Sequence, residues 1–247
     1  MPRRHRLDQE LVDQGFFSSQ SDALRAVLAG EVSTTDRRLT APGEQVLPGI
    51  ALHVRGRIPY VSRGGLKLAG GLDHFQLNPE GLTCLDVGCS TGGFTDCLLR
   101  RGAASVVSVD VGYAQFDWSL RQDERVELFE RTNIVDLPSL TDKRFDLAVC
   151  DVSFTSVVTI LPAVVALLVP GGTFLTLVKP QFEAPREDVG EGGIVRDESV
   201  RQAALAKVRE AFEDEGLTVN GSCVSPITGH KGNVEFFLSG TLPPITA

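Results

Sequence analysis

The chain has 247 residues, 42% of them hydrophobic, with a formal net charge of −8. That length allows one large domain or a small one beside a medium one, with apolar residues enough for a packed core. The longest apolar stretch, residues 160–169, contains Pro162 and stops at Pro170-Gly171-Gly172, short of the roughly 20 residues that span a bilayer, which excludes a membrane-spanning chain.

The charge is unevenly spread. Residues 1–67 hold ten Lys/Arg against seven Asp/Glu, and the remainder fourteen against twenty-five. Either surface composition drifts, or an N-terminal basic module meets an anion such as nucleic acid. The five cysteines, Cys84, Cys89, Cys97, Cys150 and Cys223, include no Cys-x-x-Cys pair, and no histidine stands at ligand spacing, so no metal is expected. Their odd number argues against a full disulfide framework, and reduced thiols fit a cytoplasmic protein. The opening Met-Pro-Arg-Arg-His-Arg is basic but no apolar segment follows, so it is not read as a secretory signal.

In chain order, Leu7, Leu11 and Val12 have helical spacing, with Gly15 as a stop. Ser19 or Ser21 caps a second helix bearing Ala23, Leu24, Val27 and Leu28, with Gly30 past its end. Short β-like pieces follow near Val32, Val46 and residues 50–54, separated by Pro42-Gly43 and Pro48-Gly49. Arg6-Leu7-Asp8, Leu11, Gly15, Ser19, Ala23, Gly30-Glu31-Val32, Pro42-Gly43 and Val46 resemble the small α+β RNA-binding domain known from ribosomal protein S-four. Gln20 departs from the basic residue usual there, and Ser33-Thr34-Thr35-Asp36 replaces the usual turn. The resemblance implies an RNA-binding domain over residues 1–54, with Arg6, Arg25, Arg37 and Arg38 as phosphate contacts.

Residues 55–60, Arg55-Gly56-Arg57-Ile58-Pro59-Tyr60, read as a linker, and residues 61–247 as a second domain. Ser62 caps a helix holding Leu66, Leu68, Ala69 and Leu72; Lys67 lies one residue off that stripe and alone reads as a surface lysine. An apolar run over residues 82–87 holds a short buried strand, expected at 83–87. It leads into a glycine turn, Gly88-Cys89-Ser90-Thr91-Gly92-Gly93, and a helix opened by Phe94. Asp86 is expected inside the turn. An acid there repels a pyrophosphate but suits a cofactor with a positive amino-acid end, which is the chemistry of S-adenosylmethionine. Further strands are expected at residues 105–109, 125–129, 146–150, 173–178, 217–224 and 233–238. Helices are expected at 94–101, 115–121, 155–168 and 198–215. The alternation predicts a mostly parallel sheet covered on both faces, with the last two strands antiparallel at one edge.

Ligands bind at the carboxyl ends of such strands. Asp110 ends the second strand, where an acid accepts hydrogen bonds from a ribose diol; Asn133 ends the third, where an amide meets an adenine edge. Asp151 and Lys179 end neighbouring strands and form either a catalytic pair or a rim ion pair. Glu235 alternates with Val234 and Phe236 on the last strand and is expected to face the same mouth. Residues 183–195, with Gly190, Gly192 and Gly193, have the composition of a mobile loop.

Ser62-Arg63-Gly64-Gly65-Leu66-Lys67-Leu68, Asp86-Val87-Gly88-Cys89-Ser90-Thr91-Gly92-Gly93-Phe94-Thr95, Asp110-Val111-Gly112-Tyr113, Asp151-Val152-Ser153-Phe154, Val178-Lys179-Pro180-Gln181-Phe182-Glu183 and Gly232-Asn233-Val234-Glu235-Phe236-Phe237 together resemble the TlyA family. That family joins an S-four-type module to an FtsJ-like ribose methyltransferase domain. The resemblance implies a Rossmann-like seven-stranded sheet and S-adenosylmethionine held by Asp86, Gly88, Ser90, Thr91, Gly92, Gly93, Phe94, Asp110 and Asn133. It implies a catalytic tetrad of Lys67, Asp151, Lys179 and Glu235. Arg63 joins the RNA contacts. The implied reaction is 2′-O-methylation of cytidine in ribosomal RNA by a monomer acting on ribosomal subunits. Lys179 would accept the hydroxyl proton, Asp151 would hold Lys179, and Phe154, Phe182 or Tyr113 would stack on a base splayed out of its helix. Three other readings stay open: a non-catalytic ribosome-assembly factor that binds rRNA; a membrane-active hemolysin, a label some family members carry; and a generic small-molecule or DNA methyltransferase, the former disfavoured by the basic N-terminal module.

Overall fold

The computed structural model describes residues 4–34, 37–50, 52–56 and 58–244. Thr35, Asp36 and Arg57, and the first residues of the basic N-terminus, lie outside them, as does Ala51 of the expected piece at 50–54. The chain divides into two compact units, Met1–Tyr60 and Val61–Ala247.

The first unit opens with β1 (His5–Arg6) and α1 (Leu7–Asp13), then α2 (Gln20–Leu28), β2 (Val32–Ser33), β3 (Gln45–Val46) and β4 (His53–Val54). Ser19 caps α2, its side chain accepting from Asp22 N. β1 pairs with β3 and β2 with β4, both antiparallel. Leu7, Leu11, Phe16, Ala23, Val27, Val32, Leu39 and Val46 bury together as one small core. Such two-residue strands hold little by themselves; the shared apolar cluster holds them.

The second unit opens with α3 (Gly64–His74) and continues as β5 (Thr83–Val87), α4 (Gly93–Arg100), β6 (Ser105–Val109), α5 (Trp118–Arg121), β7 (Val126–Phe129) and β8 (Phe145–Cys150). It ends with α6 (Val157–Leu167), β9 (Leu168–Val178), α7 (Pro180–Glu183), α8 (Glu198–Asp214), β10 (Thr218–Val224) and β11 (Phe236–Thr241). The seven strands form one sheet in the order β10-β11-β9-β8-β5-β6-β7. β11 runs antiparallel to β9 and β10, and the other pairs are parallel. Leu85, Val107, Phe145, Ala148, Phe174, Leu238 and the helical Leu161, Val164 and Phe212 pack as the core.

Most boundaries fall within two residues of the expected ones, and three element starts differ by three residues or more. β9 begins five residues early, because Pro170-Gly171-Gly172 forms an irregularity within the strand and does not end it. α5 starts three residues late, at Trp118, where the Asp117 side chain caps it. β11 starts at Phe236, after Lys231 and Gly232 take positive φ of 55° and 84° and turn the chain. Glu235 therefore precedes the strand and is not part of its alternation.

Candidate active site

β9, β8, β5 and β6 lie side by side, so their carboxyl tips gather polar residues in one place. The loop leaving β5 takes positive φ at Gly88 (78°), Ser90 (47°) and Gly92 (93°). A Cβ on Gly88 would stand 3.0 Å from the Asp151 carbonyl oxygen, so this glycine lets the loop pass against the tip of β8. Asp110 follows β6 directly. Its carboxylate accepts Ser90 N at 2.8 Å and Gly112 N at 2.6 Å, tying the glycine loop to the neighbouring strand tip.

Asp86 is not inside the turn, as expected, but within β5, in register with Ser108 of β6. Strand alternation turns its side chain toward α4, where Thr95 Oγ1 donates to Oδ2 at 2.6 Å and also meets Ser108 Oγ at 2.8 Å. Oδ1 is buried without a hydrogen-bond partner. Burial, with Asp151 and Asp110 nearby, pushes the Asp86 carboxyl up to about 7.

Lys67 reaches the site because α3 begins close against α4. A Cβ on Gly93 would stand 2.2 Å from Ser62 Oγ and 3.0 Å from Gly65 N, so the glycines of both segments make that approach possible. One turn further along α3, Lys67 Nζ donates to Glu235 Oε2 at 2.6 Å, with both side chains largely buried. The turn before β11 wraps Glu235. Ser225 N donates to the Glu235 carbonyl at 2.8 Å, and a Cβ on Gly229 would overlap Oε1. Lys179 directly follows β9, 7% exposed. Its Nζ lies 2.6 Å from Asp151 Oδ1 as an ion pair, while its aligned hydrogen bond goes to Ser153 Oγ at 2.8 Å.

Two adjoining cavities open here. One, of about 290 Å³, is lined by Ser62, Arg63, Lys67, Lys179 and the loop residues Gly88–Thr91, Gly93 and Phe94. The other, of about 580 Å³, is lined by Asp110, Gln115, Asn133 and the apolar Val109, Ile134, Val135, Val152 and Ile160. Gly88, Ser90, Asp151 and Ser153 border both. An apolar slot with a carboxylate and an amide suits a nucleoside, and a polar cleft with lysine, arginine and carboxylate suits an amino-acid end. The donor set therefore fits S-adenosylmethionine. Asp86, Gly92 and Glu235 line neither cavity: Asp86 and Glu235 stand behind the wall, each holding a residue that supports it.

Asn133 also caps the 3-10 turn Ile134–Ser139, accepting Val135 N. Phe154 is 92% exposed, has φ of 64° and lies 5.2 Å from the Phe182 ring; Tyr113 carries the Arg131 guanidinium 4.0 Å above its ring. The loop over residues 183–195 carries a turn closed by a bridge between Gly190 and Ile194. Asn233 holds it, accepting Val195 N and donating to Gly193 O. Burial pushes the Cys84 and Cys150 thiols up to about 12, so neither is a nucleophile for this site.

In the first unit Arg6 is committed to buried Asp8 through two hydrogen bonds, Arg25 to Asp22 and Arg37 to Glu44. Arg37, Arg38, His53 and Arg55 border a cavity of about 470 Å³. Sequence spacing missed one grouping: His5 lies 3.0 Å from Glu10 and 3.4 Å from Asp13, a histidine and two acids within 4.8 Å of one another. Glu10 is otherwise engaged by Gln14 and Gly49 N. Sequence reading also gave Ser153 and Glu183 no role; Ser153 was within reach of the strand-tip rule, two residues after Asp151, whereas nothing in the sequence marks Glu183 as buried.

The FtsJ-like methyltransferase family matches residues 60–242. Across 96% of this chain and 90% of the relative, the sequence is 43% identical to the 16S/23S rRNA (cytidine-2′-O)-methyltransferase TlyA of Mycobacterium tuberculosis. A solved Streptococcus thermophilus protein described as a candidate hemolysin superposes with a TM-score of 0.73 at 42% identity, covering 98% of this chain and 90% of that one. A Listeria monocytogenes protein described as a candidate S-adenosylmethionine-dependent methyltransferase shares the fold alone: TM-score 0.53, 17% identity, 71% of this chain and 99% of that one. No helix among the described residues is long and apolar enough to cross a membrane. The glycine loop, the paired cavities and these matches agree: the chain belongs to the FtsJ-like methyltransferase family.

Proposed function

We propose that this chain methylates the 2′-hydroxyl of cytidine in ribosomal RNA, the activity in the name of its Mycobacterium tuberculosis relative. The observation that carries the reading is the pair of lysine–carboxylate contacts, Lys179 with Asp151 and Lys67 with Glu235, beside a cofactor-sized cleft. S-adenosylmethionine supplies an electrophilic methyl group. Asp110 and Asn133 hold its nucleoside end, and the loop from Gly88 to Phe94 its amino-acid end, with Asp86 supporting that loop through Thr95.

A ribose hydroxyl is a weak nucleophile until its proton has somewhere to go. Lys179 Nζ, aimed by Asp151 and Ser153, takes up that hydroxyl as a further hydrogen-bond partner. Nζ would serve as the acceptor of that proton, and Asp151 would balance the ammonium charge. Lys67, fixed by Glu235, lines the same cleft and orients the ribose. Phe154 and Phe182 offer aromatic faces to an unstacked base. One chain supplies all four groups, so the site needs no second subunit to complete it, and five free cysteines support a cytoplasmic setting.

Isolated ribosomal subunits incubated with labelled S-adenosylmethionine and mapped for alkali-resistant positions test this. The wild type should label a cytidine. Lys179→Ala should bind the cofactor normally and lose about 10²- to 10⁴-fold in turnover. Normal turnover by that variant would remove Lys179 from the chemistry, and an unlabelled subunit would favour a non-catalytic role.

A further inference from the structure

Glu183 is the last residue of α7, four positions after Lys179, and is 4% exposed. Its Oε1 accepts the Val157 N–H at 2.7 Å and its Oε2 accepts the Ser156 hydroxyl at 2.5 Å. From α8, Lys207 Nζ donates to the Glu183 main-chain oxygen at 2.9 Å and lies 3.5 Å from Oε2. Ser156 is the N-cap and Val157 the first residue of α6, so a carboxylate from another element sits on that helix's N-terminus, where unpaired N–H groups and the helix dipole favour negative charge.

α6 already has its own cap. Ser156 Oγ accepts Val158 N, as an N-cap serine does. What Glu183 adds is a cross-tie. The segment between β8 and α6 carries Asp151 and Ser153, the two partners of Lys179 Nζ. Its near end is pinned at β8, where Asp151 N donates to Val87 O at 3.0 Å. Its far end is Ser156 and Val157, both held by Glu183. Lys179 is joined to Glu183 by the single turn of α7, opened by Pro180. The same carboxylate therefore fixes both sides of the Lys179 contact, the lysine through α7 and its partners through the 151–156 segment.

We propose that Glu183 is a positioning residue for methyl transfer: it sets the register between Lys179 Nζ and the Asp151–Ser153 pair without touching cofactor or RNA. The inference rests on the methyltransferase reading above. A base held within hydrogen-bond reach of its proton loses much of its effect when displaced by an ångström.

The test compares Glu183→Ala and Glu183→Gln in the full chain, acting on ribosomal subunits. Glu183→Ala should keep cofactor affinity and subunit KM within about threefold while kcat falls about 30-fold or more, the signature of misplacement and not of lost binding. Glu183→Gln retains an oxygen for Val157 N and an amide for Ser156 Oγ, and should recover kcat to within about fivefold of wild type. If Glu183→Ala does not fold, Ser156→Ala removes the Oε2 half of the tie together with the α6 cap and leaves Val157 N on Oε1, and should give a smaller loss in kcat at unchanged cofactor affinity; an undiminished kcat there overturns the proposal. A folded Glu183→Ala with undiminished kcat overturns the proposal. So does an equal loss of cofactor affinity and kcat, which a merely structural cap would give. A wild type that labels no subunit overturns the methyltransferase reading and this inference together, so the two failures are told apart by the wild-type arm.

Discussion

Asp86 is fully buried, yet a hydrogen bond reaches only one of its two carboxylate oxygens. Its environment is unfavourable to charge: apolar strand neighbours surround it, and Asp151 and Asp110 repel it. The unfolded chain holds this carboxyl near 3.8 and the fold near 7, so between those values the folded state carries the extra proton. Stability from this group is therefore greatest at low pH and is lost as pH rises toward 7, by about 1.4 kcal/mol per pH unit within that window. Asp86→Asn cannot ionise. Without cofactor it should be more stable than wild type to denaturant at pH 8, with the gap narrowing as pH falls and closing near pH 4. A pH-independent difference would show that Asp86 ionises in the fold as it does in water. The sequence showed an acid next to a glycine turn but not the direction of its side chain. Strand register decides that, and it sends Asp86 behind the cavity wall and leaves Asp110 at the mouth.

At the scale of elements, the site depends on how closely α3 meets α4. Lys67 reads as a surface residue from its helical position alone, because helix periodicity says nothing about what lies beyond the helix end. Its burial follows from the paired glycines at the start of α3 facing Gly93, a contact between segments nearly thirty residues apart. Gly93→Ala should therefore destabilise by about 1–3 kcal/mol through overpacking against Ser62 and Gly65. It should also lower methyl transfer, since Lys67 moves with α3, and cofactor affinity with it, since Gly93 lines the cleft. Thermal melts beside turnover assays check this, and wild-type values for both would mean the two helices separate without effect. The same limit explains β11. Its alternation was visible, but the two left-handed residues that delay its start were not, and they are what frees Glu235 to meet Lys67. The strands β5 and β6 were fully legible, because buried parallel strands are short, continuous and apolar.

A chain with a net charge of −8 that acts on RNA needs local positive charge, and the arginines of the first unit are the candidates to be tested for it. Counting them overstates the contacts. Arg6, Arg25 and Arg37 each spend their charge on a carboxylate, whereas Arg38 and Arg55, which border one cavity, have no ion pair among the described residues. A guanidinium already neutralised releases few counterions when it nears a phosphate, so the salt dependence of subunit binding separates the two groups. Replacing both Arg38 and Arg55 with alanine should flatten the slope of log K against log salt by about 1.5–2, with the melting temperature little changed. Arg6→Ala should do the reverse. It strands the buried Asp8 carboxylate, whose charged form Arg6 favours, so the melting temperature falls while the slope stays near wild type. The assignment fails if the double variant binds subunits with a wild-type slope, because the arginines that touch phosphate would then have to lie elsewhere on the chain.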